Sequence, residues 1–210
     1  MCQKGPKHHN IMKQQIIIIN GGSVYDSYEA YIKHLKGIKL DFDRLTKVGW
    51  KDSFAKKLGV EFQVIHAKMP NDNNAKYGEW AIWFKKIIPF IKNGAVLVGH
   101  SLGGIFLAKY LATHLFPKKI KATILISAPF RNKGMNESLG DFFLPKSIRK
   151  FAIQGGRIFI YHSKDDPVVP VQHANEYHKE LTGSVLRIFQ NKGHFNQPTF
   201  PELVKEIRSL

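Results

Sequence analysis

Cysteine, arginine, acidic side chains and long apolar runs are all scarce in this sequence, and each shortage excludes something. Cys2 is the single cysteine among 210 residues, which rules out an intramolecular disulfide scaffold. The aliphatic run Ile16–Ile19 is far shorter than the roughly 20 apolar residues that a membrane helix needs. The chain is therefore expected to be soluble, cytoplasmic and without a membrane span. Acids are outnumbered, with Asp+Glu at 16 against Lys+Arg at 32, a net charge of +16. The excess is mostly Lys, scattered in runs no longer than pairs such as Lys56-Lys57, Lys85-Lys86 and Lys118-Lys119. Arg, the usual reader of phosphates and base edges, is sparse. This pattern predicts a general Lys-rich surface and no nucleic-acid partner. His-Glu-x-x-His and Cys/His clusters are missing too, although His162, His173 and His178 share one region and His8-His9 are adjacent. No metal and no cofactor are expected.

A hydrophobic content of 43% and a charged content of 23% describe an ordinary globular domain. The length suits one domain. Residues 1–13 are polar and unpatterned and read as a loose tail, and residues 14–210 as the domain. A monomer or weak homo-oligomer is expected.

Within the domain two patterns alternate. Short β-branched runs at Ile16–Ile19, Val60–His66, Ala95–Val98, Ala122–Ile126, Arg157–Tyr161 and Val185–Phe189 suit strands buried on both faces. Between them lie helical spacings: Tyr28, Tyr31, Ile32, Leu35; Trp50, Phe54, Leu58; Trp80, Trp83, Phe84, Ile87, Ile91; Val171, Ala174, His178, Leu181; and Leu203, Ile207, Leu210. Such alternation predicts an α/β domain, a mostly parallel sheet of about six strands with helices on both faces. Residues 130–150 break it. They are rich in Gly, Asn and Pro around Phe142-Phe143-Leu144, and read as a small cap segment.

The segment Gly99-His100-Ser101-Leu102-Gly103-Gly104 follows one predicted strand and opens a predicted helix. Gly-x-Ser-x-Gly alone is weak evidence, but a strand–turn–helix setting is the context that gives it meaning. The turn forces Ser101 into a strained backbone conformation with its hydroxyl above the sheet, and the flanking glycines remove side chains that would collide. The helix start directs free N–H groups at the site, so the Leu102 amide is a candidate oxyanion donor. Gly22, in the turn Asn20-Gly21-Gly22-Ser23 after the first strand, is the candidate second donor. His100 is expected to shape the substrate pocket.

A serine hydroxyl needs a base. In this motif's fold the partners follow in the order Ser, acid, His, and each occurs just after a predicted strand. His194 lies in Gly193-His194-Phe195. The acid lies in Lys164-Asp165-Asp166-Pro167, where Asp166 is favoured and Asp165 is its close competitor.

With these parts placed, the chain resembles the small serine hydrolases of the α/β-hydrolase fold typified by retinoblastoma-binding protein and the YdeN-like proteins. The resemblance covers nearly everything from Gln15 to Leu210. It rests most specifically on Gly-His-Ser-Leu-Gly-Gly, Lys164–Pro170, Gly193-His194-Phe195, and Met69-Pro70-Asn71 followed by Trp80. It implies a cofactor-free hydrolase with a Ser101, Asp166, His194 triad. The chain departs from the pattern at Asn20, where many relatives carry His. The expected activity is acyl transfer to water through an acyl-enzyme, on a small-molecule ester substrate, with thioesters and amides as further possibilities. Phe142 and Phe143 are candidate linings of the acyl site. The rival expectation is a non-catalytic protein-binding module on the same fold.

Overall fold

The β-branched runs become the strands of one sheet. In the computed structural model, which describes residues 13–135 and 137–210, these are β1 (Gln14–Ile19), β2 (Phe62–Ala67), β3 (Ala95–His100), β4 (Ile120–Ile126), β5 (Arg157–Ser163) and β6 (Val185–Phe189). All neighbours pair in parallel, in the order β2-β1-β3-β4-β5-β6. The expected tail lies outside the described residues, apart from Lys13.

Parallel strands need crossovers, and helices supply them. They are α1 (Tyr28–Gly37), α2 (Phe42–Thr46), α3 (Trp50–Leu58), α4 (Tyr77–Ile87), α5 (Leu102–Thr113), α6 (Arg149–Gln154), α7 (Gln172–Glu180) and α8 (Pro201–Arg208). The period-2 alternation of strand side chains sorts the core into two layers. Ile17, Ile19, Leu97, Leu125 and Ile160 meet Trp80 and Phe84 of α4, most of α5, Phe151 of α6 and Tyr177 of α7. Ile16, Ile18, Val96, Val98, Ile124, Ile126, Phe159 and Tyr161 meet Trp50, Phe54 and Leu58 of α3 and Leu203 and Ile207 of α8. Each fully buried aliphatic or aromatic side chain contributes roughly 1.5–3 kcal/mol. The sheet's centre is consequently apolar on both sides, whereas the edge strands β2 and β6 are only half-buried.

Strand order also decides where a site can form. The chain leaves β1 toward β2 on one side and returns as β3 on the other. Two crossovers that diverge from one strand leave a crevice at the carboxyl ends, the usual ligand position in such sheets. Here Asn20-Gly21-Gly22 ends β1 and Ser101 ends β3, with Ile19 opposite Gly99 in the ladder.

Besides a shift in β2, which opens at Phe62 and leaves Val60 exposed, three segments differ from the sequence expectation. Helix α4 stops at Ile87 rather than continuing to Ile91 and gives way to a 3-10 turn, Ile88–Phe90. Pro89 lacks the N–H that an α-helix would require. Helix α1 forms over its expected spacing but buries none of its residues, leaving Tyr28 and Leu35 exposed. Tyr31 and Ile32 of its apolar stripe are half-buried.

The candidate cap is the third. Residues 127–148 carry no helix or strand among the described residues, yet they are tied down at several points. His173 of α7 accepts the Phe130 N–H at 2.8 Å and donates to Lys133 O at 2.9 Å. Tyr177 Oη–H donates to Pro129 O at 2.8 Å. Phe142 is fully buried, edge-on against Tyr77 and Trp80. It belongs to the core and not to an acyl-site wall, because this aromatic cluster already surrounds it. Phe143 beside it is 48% exposed. Accordingly, Phe142→Ala should lower the unfolding free energy by about 3–5 kcal/mol, and Phe143→Ala by no more than about 0.5 kcal/mol. Urea unfolding of both variants checks this, and an unchanged midpoint for Phe142→Ala would contradict the core placement.

Candidate active site

A one-residue turn joins β3 to α5. Ser101 has φ 55 and ψ −125, a conformation that a residue with a Cβ rarely adopts. Such strain costs on the order of 1–3 kcal/mol and persists only where its surroundings over-determine it. They do so here. Ser101 N–H donates to Ile126 O of β4 at 2.8 Å, and Gly104 N–H returns to Ser101 O at 2.8 Å. A Cβ on Gly99 would stand 2.5 Å from Gly103 O, and one on Gly103 would stand 2.5 Å from Asn20 O. The two glycines let strand and helix close on the serine.

The β1 turn approaches from the other side. A Cβ on Gly21 would stand 3.0 Å from Ser101 Cβ. Ser23 N–H donates to Asp72 O at 2.8 Å and Ala75 N–H to Ser23 O at 2.9 Å, which docks the turn on the 3-10 segment Asp72–Asn74. The amides of Gly22 and Leu102 have no backbone acceptor among the described residues. Asn20 Oδ1 is buried there without a hydrogen-bond partner.

Asp166 sits in the turn after β5, its side chain fully buried. Oδ1 accepts the Val168 and Val169 N–H groups at 2.9 and 3.0 Å, and Oδ2 accepts Ser127 Oγ–H at 2.6 Å. His194 Nδ1 lies 3.0 Å from both oxygens. Burial pushes the carboxyl up. The hydrogen bonds from His194, Ser127 and Val169, with the charge His194 can carry, outweigh it and hold Asp166 at about 2. His162 Nε2 is 3.6 Å from Asp166 Oδ2 but donates to Val169 O at 2.8 Å. Burial pushes its pKa down, so the imidazole is neutral and forms no ion pair.

Asp165 points elsewhere. Its Oδ1 accepts Ser163 Oγ–H at 2.5 Å and the Gly193 N–H at 2.9 Å. It braces the His194 loop from below, and Asp166 alone of the pair reaches the imidazole. His194 lies between two left-handed residues, Gly193 at φ 49 and Phe195 at φ 53. Its ring is 5.0 Å from that of His100, the neighbour of Ser101. Asp166 and His194 thus meet from two strand ends, and Ser101 follows His100 at the end of a third. Ser101 Oγ forms no hydrogen bond among the described residues.

His100 departs from its expected place. It is 4% exposed and its Nε2–H donates to His194 O at 2.8 Å. Its ring faces the histidine loop and is not available to line a substrate pocket. Sequence reasoning also missed Ser127 and Ser163, which hold the two aspartates. The signal available was position, since Ser127 follows β4 and Ser163 ends β5 at the same carboxyl edge as the other groups. Among the described residues no three His, Cys, Asp or Glu side chains gather where a metal ion could be held. No helix there is long and apolar enough to cross a membrane.

Known proteins share this arrangement of chain. The family model described as Serine hydrolase matches residues 44–200. Serine hydrolase RBBP9 of Rattus norvegicus is 27% identical over 157 residues, spanning 71% of this chain and 78% of that protein. The ydeN gene product of B. subtilis superposes with a TM-score of 0.70 at 20% identity, over 94% of this chain and 98% of that one. An α/β hydrolase from the metagenome of lagoon sediments at Mar Chica, Morocco, gives 0.55 at 21% identity, over 94% and 89% of the two chains. The solved structures establish the α/β-hydrolase fold, and the family match, which spans most of the chain, makes this protein a member of the serine hydrolase family.

Proposed function

We propose that Ser101, His194 and Asp166 form a catalytic triad that hydrolyses small carboxylic esters through an acyl-enzyme. The observation that carries this reading is the Asp166 carboxylate fixed 3.0 Å from His194 Nδ1, and the strained turn at Ser101 supports it. An acceptor at Nδ1 keeps the proton on that nitrogen and leaves Nε2 free to act as base. Ser101 Oγ attacks the ester carbonyl as His194 Nε2 takes its proton. The carbonyl oxygen becomes an oxyanion facing the Leu102 and Gly22 N–H groups, which is the use this reading gives to two unpartnered amides. Collapse breaks the ester C–O bond, and the leaving alkoxide takes the proton from His194. Water, deprotonated by His194, then attacks the acyl group and releases the acid and Ser101. Catalytic hydrogen bonds are often long without substrate and tighten in the complex, so the hydrogen bond Ser101 lacks to His194 is compatible with this mechanism.

A fluorophosphonate probe should label the wild-type chain at Ser101 and leave Ser101→Ala unlabelled, as read by intact-mass spectrometry. Equal labelling of the two, or none in folded wild type, would defeat the proposal. Asp166→Asn should lower kcat toward short-chain nitrophenyl esters by about 10³–10⁴-fold, as expected when the imidazole loses its orienting carboxylate. Asp165→Asn should cost less than about tenfold. Equal losses would show that the acid is misassigned.

Asp166 also links stability to pH. Its folded pKa of about 2 lies below the unfolded value of about 3.9. The stabilisation is present in full above about pH 5 and is lost as pH falls toward 2, in total about 2 kcal/mol. The stability gap between wild type and Asp166→Asn, measured by urea unfolding, should therefore narrow from pH 6 to pH 3. A constant gap would mean that the carboxylate is not selectively stabilised.

A further inference from the structure

The loop that carries His194 has two left-handed residues and lies at the edge of the fold, so something must hold it. Part of the answer is α3. Trp50, its first residue, donates its backbone N–H to Gln197 O at 2.8 Å and its indole N–H to Phe195 O at 3.0 Å. The next residue, Lys51, reaches inward instead. Its Nζ lies 3.0 Å from His100 Nδ1, while His100 Nε2 lies 2.8 Å from His194 O. A carbonyl oxygen can only accept, so Nε2 carries the proton. Nδ1 is then the acceptor, and Lys51 is its donor. Lys51 is half-buried. His100 is almost completely buried. Burial lowers the Lys51 ammonium to about 8. The Lys51 charge, after burial itself, is among the causes that hold His100 neutral.

We infer that Lys51 is a positioning residue: it locks His100 in the Nε2–H tautomer, and His100 thereby clamps the backbone of His194 beside Ser101. This inference rests on the proposed role of His194 as base. Its chemistry is specific to the donor. The His194 carbonyl already favours the Nε2–H form; without a donor at Nδ1 that preference rests on the carbonyl alone, and the gap between the two neutral tautomers narrows. The clamp is lost in whatever fraction adopts the Nδ1–H form, because an unprotonated Nε2 opposes the lone pairs of the His194 carbonyl. Asp52 is the acid that offsets the burial of Lys51, but it is engaged at the cap of α3, where it accepts the Gly49 N–H at 2.8 Å. Lys51 is left to face the imidazole.

Two measurements test this. The first needs no turnover: ¹⁵N spectra of histidine-labelled protein should show His100 with its proton on Nε2, and Lys51→Met should convert it to a mixture of tautomers. The second is kinetic. Lys51→Met should lower kcat about tenfold with KM within twofold. In a His100→Gln background, where an amide N–H replaces Nε2–H and needs no partner, Lys51→Met should have no further effect. Wild-type His100 protonated on Nδ1, or a tautomer unaltered by Lys51→Met, would overturn the inference whatever the enzyme does to esters. So would Lys51→Met losses of equal size in both backgrounds. If the spectra behave as expected but wild type turns over no ester, the clamp stands and the hydrolytic reading falls.

Discussion

The closure of β3 and α5 upon Ser101 is the constraint to which the rest of the molecule answers. A serine at φ 55 cannot sit there unless Gly99 and Gly103 present no side chains, since a Cβ on Gly99 would meet backbone at 2.5 Å and one on Gly103 at 2.3 Å. The same closeness sends the Ile126 carbonyl to the Ser101 amide and brings Asn20 and Gly21 against the turn. Because those contacts come from β1 and β4, the strands on either side of β3, the strained turn is only as firm as the centre of the sheet. That centre is apolar on both faces, and its stability is what sustains the strain.

Around the serine, the polar groups form a ladder of hydrogen bonds with few charges. Asp166 has a fully buried carboxylate, and donors from Val168, Val169, Ser127 and His194 offset the cost of burying it. The neighbouring imidazoles are kept neutral by burial, so His162 and His100 act as directed donors to backbone carbonyls. Ser127 and Ser163 complete the ladder from the ends of β4 and β5. In this arrangement a single proton position on each ring decides whether a carbonyl is held or repelled, and the Lys51 contact acts on that position.

The molecule is less uniform away from the sheet. Between β4 and α6 the described residues carry no helix or strand, yet buried Leu139, Phe142 and Ile148 anchor the segment. The helix α1, regular and amphipathic, stays on the outside. Regular structure and burial are thus separable here: amphipathic spacing makes a helix possible, and packing against a neighbour is a further event that spacing does not guarantee.

The strands, the helix that follows Ser101 and the order of serine, acid and histidine are local properties of the chain. Runs such as Ile16–Ile19 and Ala95–Val98, the glycines flanking Ser101 and the polar turns at Asp165-Asp166 and Gly193-His194 are legible from the sequence because sterics and periodicity act over a few residues. The choice between adjacent aspartates is not local. Successive side chains point in different directions, and which one meets His194 depends on how β5 and β6 pair. The same holds for His100, which looks like a pocket residue until α3 and the His194 loop close over its two nitrogens, and for Phe142, whose partners Tyr77 and Trp80 lie some sixty residues earlier in the chain. The sequence by itself determined the elements and the chemical groups at their ends. Tertiary structure alone decided which group faces which, because those distances are set by contacts between segments far apart in the chain.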